Sequence, residues 1–140
     1  MEFNKDNIVI QLCTTGMELE GQGKLAEASN HFEEAWTIAS TDFEKFTAAH
    51  YVARHQPSIT DKLSWDQTAL RHALNINDDS IKETLPSLYL NIGKCYEDLK
   101  DVDNATINYK AALSFSTYLP FDGYGNMIRA GIKKALDRIS

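Results

Sequence analysis

Two stretches of this chain carry glycine and alanine at the same interval, and this recurrence constrains the fold more than any other feature. The interval from Gly16 to Ala28 equals the interval from Gly93 to Ala105. Around both pairs, apolar residues follow the three-then-four spacing of an amphipathic helix. Glycine inside a helix costs about 1 kcal/mol relative to alanine, so close helix packing must offset that cost. We therefore predict two helical hairpins whose helices approach closely at these small residues.

The clearest hairpin lies between Pro86 and Pro120. The face of its first helix is formed by Leu85, Leu88, Tyr89, Ile92, Gly93, Tyr96 and Leu99. The face of its second helix is formed by Val102, Ala105, Tyr109, Ala112, Leu113 and Ser116. The polar turn at Lys100 and Asp101 is so short that the two helices must be antiparallel neighbours. We expect Tyr96 and Tyr109 to fill the space on either side of the contact between Gly93 and Ala105.

This hairpin resembles a tetratricopeptide repeat, whose pattern of small and aromatic residues extends over about 34 residues. The positions that carry the resemblance are Gly93, Tyr96, Ala105, Tyr109 and Ala112 near the C-terminus, and Gly16, Gly23, Ala28, Phe32 and Ala35 near the N-terminus. The resemblance implies an all-α fold, a right-handed superhelix or solenoid of about three antiparallel helix pairs with a C-terminal capping helix. It implies a single domain over residues 1–140, with repeats at about 9–42, 43–85 and 86–119.

The middle repeat is degenerate. Gly16 and Gly93 are separated by about nine residues more than two repeat periods, so we expect an insertion near 56–61, a longer link near 77–84, or both. His50 stands where the family has a small residue. After a connector at 121–125, the last helix, about 126–138, has an apolar stripe and a basic side, which suits a cap. A basic site for an acidic partner is the alternative reading of that side, which carries Arg129, Lys133, Lys134 and Arg138.

Composition and charge narrow the classes of partner and location. The formal net charge of −6 disfavours nucleic acid as a partner, because binding to it requires neutralisation of phosphates. No stretch approaches the roughly 20 apolar residues of a membrane span. Cys13 and Cys95 lie far apart in sequence, and the apolar run at the start of the chain is too short for a signal peptide. We therefore expect free thiols and a cytoplasmic location, with no nucleic-acid or membrane partner.

Motifs that would indicate catalysis or metal binding are missing from the sequence. The four histidines lie in no HExxH pattern and near no pair of cysteines, so we predict no metal site. No strand-led glycine loop is present to hold phosphates. We predict a protein that is not an enzyme and that uses no cofactor.

The resemblance then implies function through shape, since partner peptides of the family commonly lie in the concave groove formed by the first helix of each pair. The groove positions carried over to this sequence are Cys13, Met17, Glu20, Thr47, Tyr51, Arg54, Leu90, Asn91, Lys94 and Glu97. We predict a non-enzymatic protein-binding module, an adaptor or regulatory subunit. The alternatives are a self-associating structural protein, for instance a homodimer, and an enzyme or ligand-binding protein with an enclosed pocket in the groove.

Overall fold

The computed structural model describes residues 6–140, and these residues form seven α-helices, three short 3-10 turns and no strand. The α-helices are α1 (Ile8–Gly21), α2 (Leu25–Ile38), α3 (Asp42–Val52), α4 (Ile59–Leu74), α5 (Leu85–Asp98), α6 (Val102–Phe115) and α7 (Gly123–Ile139). The 3-10 turns are Ala53–His55, Asp79–Glu83 and Ser116–Tyr118. The prediction of an all-α helical-repeat fold is confirmed, and the right-handed superhelix stays a prediction. The start of the chain, on which the argument about a signal peptide depends, lies partly outside the described residues.

The described chain divides into two compact units, which we call the first unit, ending at Ile76, and the second unit, beginning at Asn77. In the first unit α1 packs on α2, α2 on α3 and α3 on α4, and α1 also contacts α3. In the second unit α5 packs on α6, and α7 contacts both of them. Each unit therefore contains a helical hairpin followed by a helix that packs across it. The single domain over residues 1–140 stays a prediction.

Aromatic rings explain the two glycines that anchor the repeated pattern. A Cβ atom added to Gly93 would lie 2.5 Å from Cδ1 of Tyr109, and one added to Gly16 would collide with the ring of Phe32. Both rings are fully buried. Gly93 is therefore required because the ring of Tyr109 lies directly over it. The sequence pattern predicts Tyr109 beside a contact between Gly93 and Ala105, whereas the structure places its ring on the glycine itself.

The turn inside each hairpin also follows one geometry. Gly23 ends the turn after α1 with a φ of 77°, and Lys100 occupies the matching place after α5 with a φ of 65°. Glycine adopts this left-handed conformation without steric cost, whereas lysine adopts it at a cost of about 1–2 kcal/mol. Lys100 thus keeps the backbone conformation that Gly23 has at the equivalent place in the first hairpin.

The middle helix pair keeps the register of its neighbours. Ala69 and Ala73 on α4 are fully buried, and each lies one repeat of 34 residues after a buried alanine, Ala35 on α2 or Ala39 just after α2. The surplus residues therefore follow α4, in the link that contains the 3-10 turn Asp79–Glu83. Of the two places for an insertion, the structure supports the link near 77–84.

The last helix begins before the predicted boundary. Asp122 caps α7 by accepting a hydrogen bond from the backbone amide of Gly125 at 2.8 Å. A side chain at Gly125 would collide with the carbonyl of Pro120, so glycine allows the close approach. The expectation of an irregular connector through Gly125 is wrong, because the Asp122 cap starts the helix at Gly123.

Candidate functional site

A carboxylate on α1 joins the predicted groove residues of the first unit. Glu20 accepts a hydrogen bond from Nη1 of Arg54 at 2.9 Å. Nε2 of His55 lies 2.7 Å from the other oxygen of the same carboxylate. Met17, one turn earlier on α1, has an exposed side chain. The structure thus brings together Glu20 and Arg54, two of the predicted groove residues, and adds His55.

Two side chains contact the ring of Tyr51. Its ring stacks on Phe32 with centroids 5.2 Å apart, and the guanidinium of Arg54 lies 4.8 Å from its centroid. Burial raises the pKa of the Tyr51 hydroxyl. These contacts fix the position of the Tyr51 ring.

Two of the predicted groove residues lie in the interior of the first unit. Cys13 is 2% exposed and packs in the core that contains Phe32 and Ala48. Its burial raises the pKa of the thiol to about 12. Thr47 is 4% exposed, and its hydroxyl donates to the carbonyl of Phe43 at 2.8 Å. Both side chains are therefore part of the interior and are not available to a partner at the surface.

In the second unit, Glu97 on α5 holds α7 in place. Nε and Nη2 of Arg138 each donate to its carboxylate at 3.0 Å, and the hydroxyl of Tyr109 donates at 2.7 Å. The hydrogen bond from Arg138, followed by that from Tyr109, lowers the pKa of Glu97 to about 2. Such a forked arginine–carboxylate pair is stronger and more directional than a bond between neutral groups.

The remaining groove residues of the second unit differ in how open they are. Leu90 packs toward α7, where a Cβ added to Gly131 would lie 3.2 Å from its Cδ2 atom. Asn91 is half-buried. Lys94 has a side chain that is 53% exposed, and it pairs with Asp98 on the same helix at 2.8 Å. The open part of this surface is therefore polar and centred on Asn91 and Lys94.

The two carboxylates occupy equivalent places, since Glu20 precedes Glu97 by the same interval that separates Gly16 from Gly93. In the second unit Tyr109 supplies a hydroxyl to the carboxylate. Phe32 at the matching place has no hydroxyl, and His55, whose ring stacks on Phe32 at 5.7 Å, contacts the carboxylate instead. Sequence reasoning did not identify His55 as a partner of Glu20 or Arg138 as a partner of Glu97. For the pair of Glu20 and Arg54, the separation of one repeat length was a signal in the sequence.

The basic side of α7 is partly used inside the second unit. Arg129 donates to the carbonyls of Leu119 at 2.7 Å and Pro120 at 3.1 Å. Arg138 is bound to Glu97. Lys133 and Lys134 are exposed. Two of the four basic residues therefore stabilise the fold, which supports the role of a cap with a polar outer face.

Two further properties concern the whole described segment, residues 6–140. Within it, no three side chains of histidine, cysteine, aspartate or glutamate come close enough together to bind a metal ion. None of its helices has the length and apolar character needed to span a membrane.

Comparison with known proteins gives one result for this geometry. The family model described as tetratricopeptide repeat matches residues 86–117, which are the hairpin of α5 and α6. Searches among curated proteins and among solved structures give no significant match. Repeats of this family generally mediate protein–protein interaction. The predicted resemblance is thus confirmed where it is strongest, by the match at residues 86–117.

Proposed function

We propose that the protein is a non-enzymatic interaction module, an adaptor or regulatory subunit, that binds a peptide or protein segment along the first helices of its repeats. The observation that carries this proposal is the tetratricopeptide match at residues 86–117. The equivalent ring-over-glycine contacts at Gly16 and Gly93 support its extension to the first unit. A cytoplasmic protein partner, with neither nucleic acid nor membrane, is part of the proposal and agrees with the net charge of −6.

The ten groove residues divide into two roles in this proposal. Glu20 and Glu97 hold neighbouring helices together through arginine, and Cys13 and Thr47 fill the interior. The residues left to contact a partner are Met17, Tyr51, Arg54, Leu90, Asn91 and Lys94. In each unit the one charged residue of this set is already paired with a carboxylate, Arg54 with Glu20 and Lys94 with Asp98, so we expect shape and hydrogen bonding to determine affinity more than long-range attraction.

The proposal is tested by capture followed by measurement of affinity. The full chain, immobilised, is exposed to an extract of the source cell, and bound proteins are identified by mass spectrometry. Isothermal titration calorimetry with the purified partner then compares Lys94→Ala with Lys110→Ala, an exposed lysine on α6. We expect Lys94→Ala to weaken binding by about tenfold, about 1.4 kcal/mol, and Lys110→Ala to leave the affinity unchanged. Unchanged affinity for Lys94→Ala and for Met17→Ala would refute the assigned surface.

Tyr51 requires a conservative variant. Replacement by alanine would remove the stacking on Phe32 and on Arg54, so a loss of binding would have two explanations. Tyr51→Phe keeps the ring and removes the hydroxyl alone. We expect Tyr51→Phe to weaken partner binding while the melting temperature stays unchanged.

Self-association is a second candidate function, and one group of residues favours it. Phe121 is 91% exposed, and Tyr124 and Met127 near the start of α7 are also exposed. Exposed apolar groups of this kind mark interaction sites on many proteins. Multi-angle light scattering at high micromolar concentration tests this candidate, and a monomeric mass would contradict it.

A further inference from the structure

The middle helix pair has polar residues at the positions where the outer hairpins place a ring over a glycine. The interval from His50 to Asp66 equals the interval from Gly16 to Phe32 and that from Gly93 to Tyr109. Since α4 keeps the register of the other second helices, His50 takes the place of the glycine and Asp66 the place of the ring. The bulky group has thus moved to the first helix of the pair.

A third polar residue completes this cluster. Lys62 stands at the position of Ala28 and Ala105 in the outer hairpins. Its Nζ atom lies 2.7 Å from Oδ2 of Asp66, and Asp66 is only 3% exposed. The side chain of Lys62 is 38% exposed, so only the carboxylate is removed from water, and the cost of burying it offsets much of its attraction to Lys62.

His50 is the least satisfied member of the cluster. Its Nδ1 atom is buried and has no hydrogen-bond partner among the residues that the structure describes. An unpaired buried polar atom costs about 1–3 kcal/mol. The ring of Tyr51 lies against it with centroids 5.3 Å apart. The middle pair therefore contains an unpaired buried nitrogen at a place where its neighbours have tight apolar packing.

The charges around His50 oppose its protonation. From α4, Lys62 repels a proton on the imidazole and Asp66 attracts it, while Arg54, one turn further along the chain, repels it. Arg54 is itself bound to Glu20 of α1, so it remains in place. Burial, followed by Arg54, lowers the pKa of His50 to about 4. The imidazole is thus neutral at neutral pH.

We propose that the α3–α4 pair is an acid-sensitive joint in which protonation of His50 separates α4 from α3. A charged imidazole has no acceptor for its Nδ1 proton in the closed pair, whereas water supplies one when the pair opens. Because Tyr51 lies on α3 and Arg54 lies in the 3-10 turn that follows it, opening alters the surface of the first unit. The joint is independent of the proposed function, because it depends only on contacts within the first unit.

The direction of the pH effect follows from the lowered pKa of His50. The solvent-exposed imidazole has a pKa of 6.5, so the closed pair has its full stability above that pH and loses stability as the pH falls toward about 4. Between neutral pH and about pH 4.5, the equilibrium constant for opening is expected to rise about 60-fold. Below about pH 4 this group causes no further loss.

The two tryptophans of the chain provide the probe. Trp36 on α2 and Trp65 on α4 meet edge to face with centroids 5.0 Å apart, so their fluorescence reports on the position of α4. Urea titrations of the full chain at neutral pH and at about pH 4.5, followed by tryptophan emission, measure the opening constant. His50→Gln removes the titrating group, and His31→Gln on α2 is the matched control.

We expect the wild-type protein and the His31→Gln variant to show the rise of about 60-fold, and the His50→Gln variant to show a rise of less than about fivefold. The pairs of His55 with Glu20 and of His72 with Asp42 remain in the His50→Gln variant. A full rise in that variant would therefore show that His50 is not its cause and overturn the proposal. No rise in the wild-type protein would overturn it as well.

A second variant keeps the test decisive if His50→Gln does not fold. The triple variant His50→Gly, Lys62→Ala and Asp66→Phe restores the glycine, alanine and ring of the outer hairpins. Like His50→Gln, it is expected to show a rise of less than about fivefold between neutral pH and about pH 4.5. A wild-type acid response in this folded variant would refute the assignment of the joint to these three residues.

Discussion

The ring over Gly93 makes a quantitative prediction about substitution of that glycine. In Gly93→Ala, the added methyl carbon would lie 2.5 Å from Cδ1 of Tyr109, whereas carbon atoms in contact are about 3.5–4.0 Å apart. The ring must therefore retreat by about 1 Å. It is fully buried, and its hydroxyl is bound to Glu97, so the second unit resists this movement. Overpacking of this kind costs about 1–3 kcal/mol.

A matched glycine separates this cost from helix propensity. Alanine is favoured over glycine in helices by up to about 1 kcal/mol, which partly conceals the cost of the clash. Gly21, at the end of α1, has nothing within 4 Å of an added Cβ. Gly21→Ala therefore reports the propensity gain alone. We expect Gly93→Ala to be about 1–3 kcal/mol less stable than Gly21→Ala, with a melting temperature lower by about 3–10 °C.

Circular dichroism at 222 nm during urea unfolding is the appropriate assay, because both tryptophans lie in the first unit. A double-mutant cycle with Tyr109→Leu identifies the source of the cost. In the Tyr109→Leu background, Gly93→Ala should lose its penalty, since the ring that it meets is gone. Equal stability of the Gly93→Ala and Gly21→Ala proteins would refute the argument that a buried ring requires the glycine. The same penalty with and without Tyr109 would refute it too.

Two further predictions concern ionisable groups. Because its hydrogen bond from Arg138 lowers the pKa of Glu97 to about 2, the pair contributes stability above the ordinary pKa of 4.5 and loses that contribution as the pH falls to about 2. Glu97→Gln should cost about 1 kcal/mol at pH 7 and nothing near pH 2, in urea titrations at both values, since solvent screens part of the attraction; an equal cost at both values would contradict the assigned ion pair. Burial, which raises the pKa of Cys13 to about 12, should make its thiol unreactive toward Ellman's reagent in the folded protein and reactive in urea. Fast labelling of Cys13 in the native protein would contradict its place in the core.

The groove residues show how much of the candidate site the sequence pattern predicts. The carried-over positions place Glu20 and Arg54 one repeat apart, and the structure joins them. The same pattern assigns Cys13 and Thr47 to the surface, although both are buried. Whether a first-helix residue reaches the surface depends on how far α3 rotates against α1, and no interval in the chain specifies that rotation.

The sequence by itself determined the helices and the places where they approach. Helix periodicity, the capping box at Thr41 and the glycines act over a few residues, so local sterics and hydrogen bonding decide them. Only the tertiary structure decided which ring covers Gly93 and which basic side chain binds the carboxylates of Glu20 and Glu97. The partners there are 12 to 41 residues apart along the chain. Such contacts depend on how helices stack, because the side chains that meet belong to different elements and their neighbours set the room that each one has.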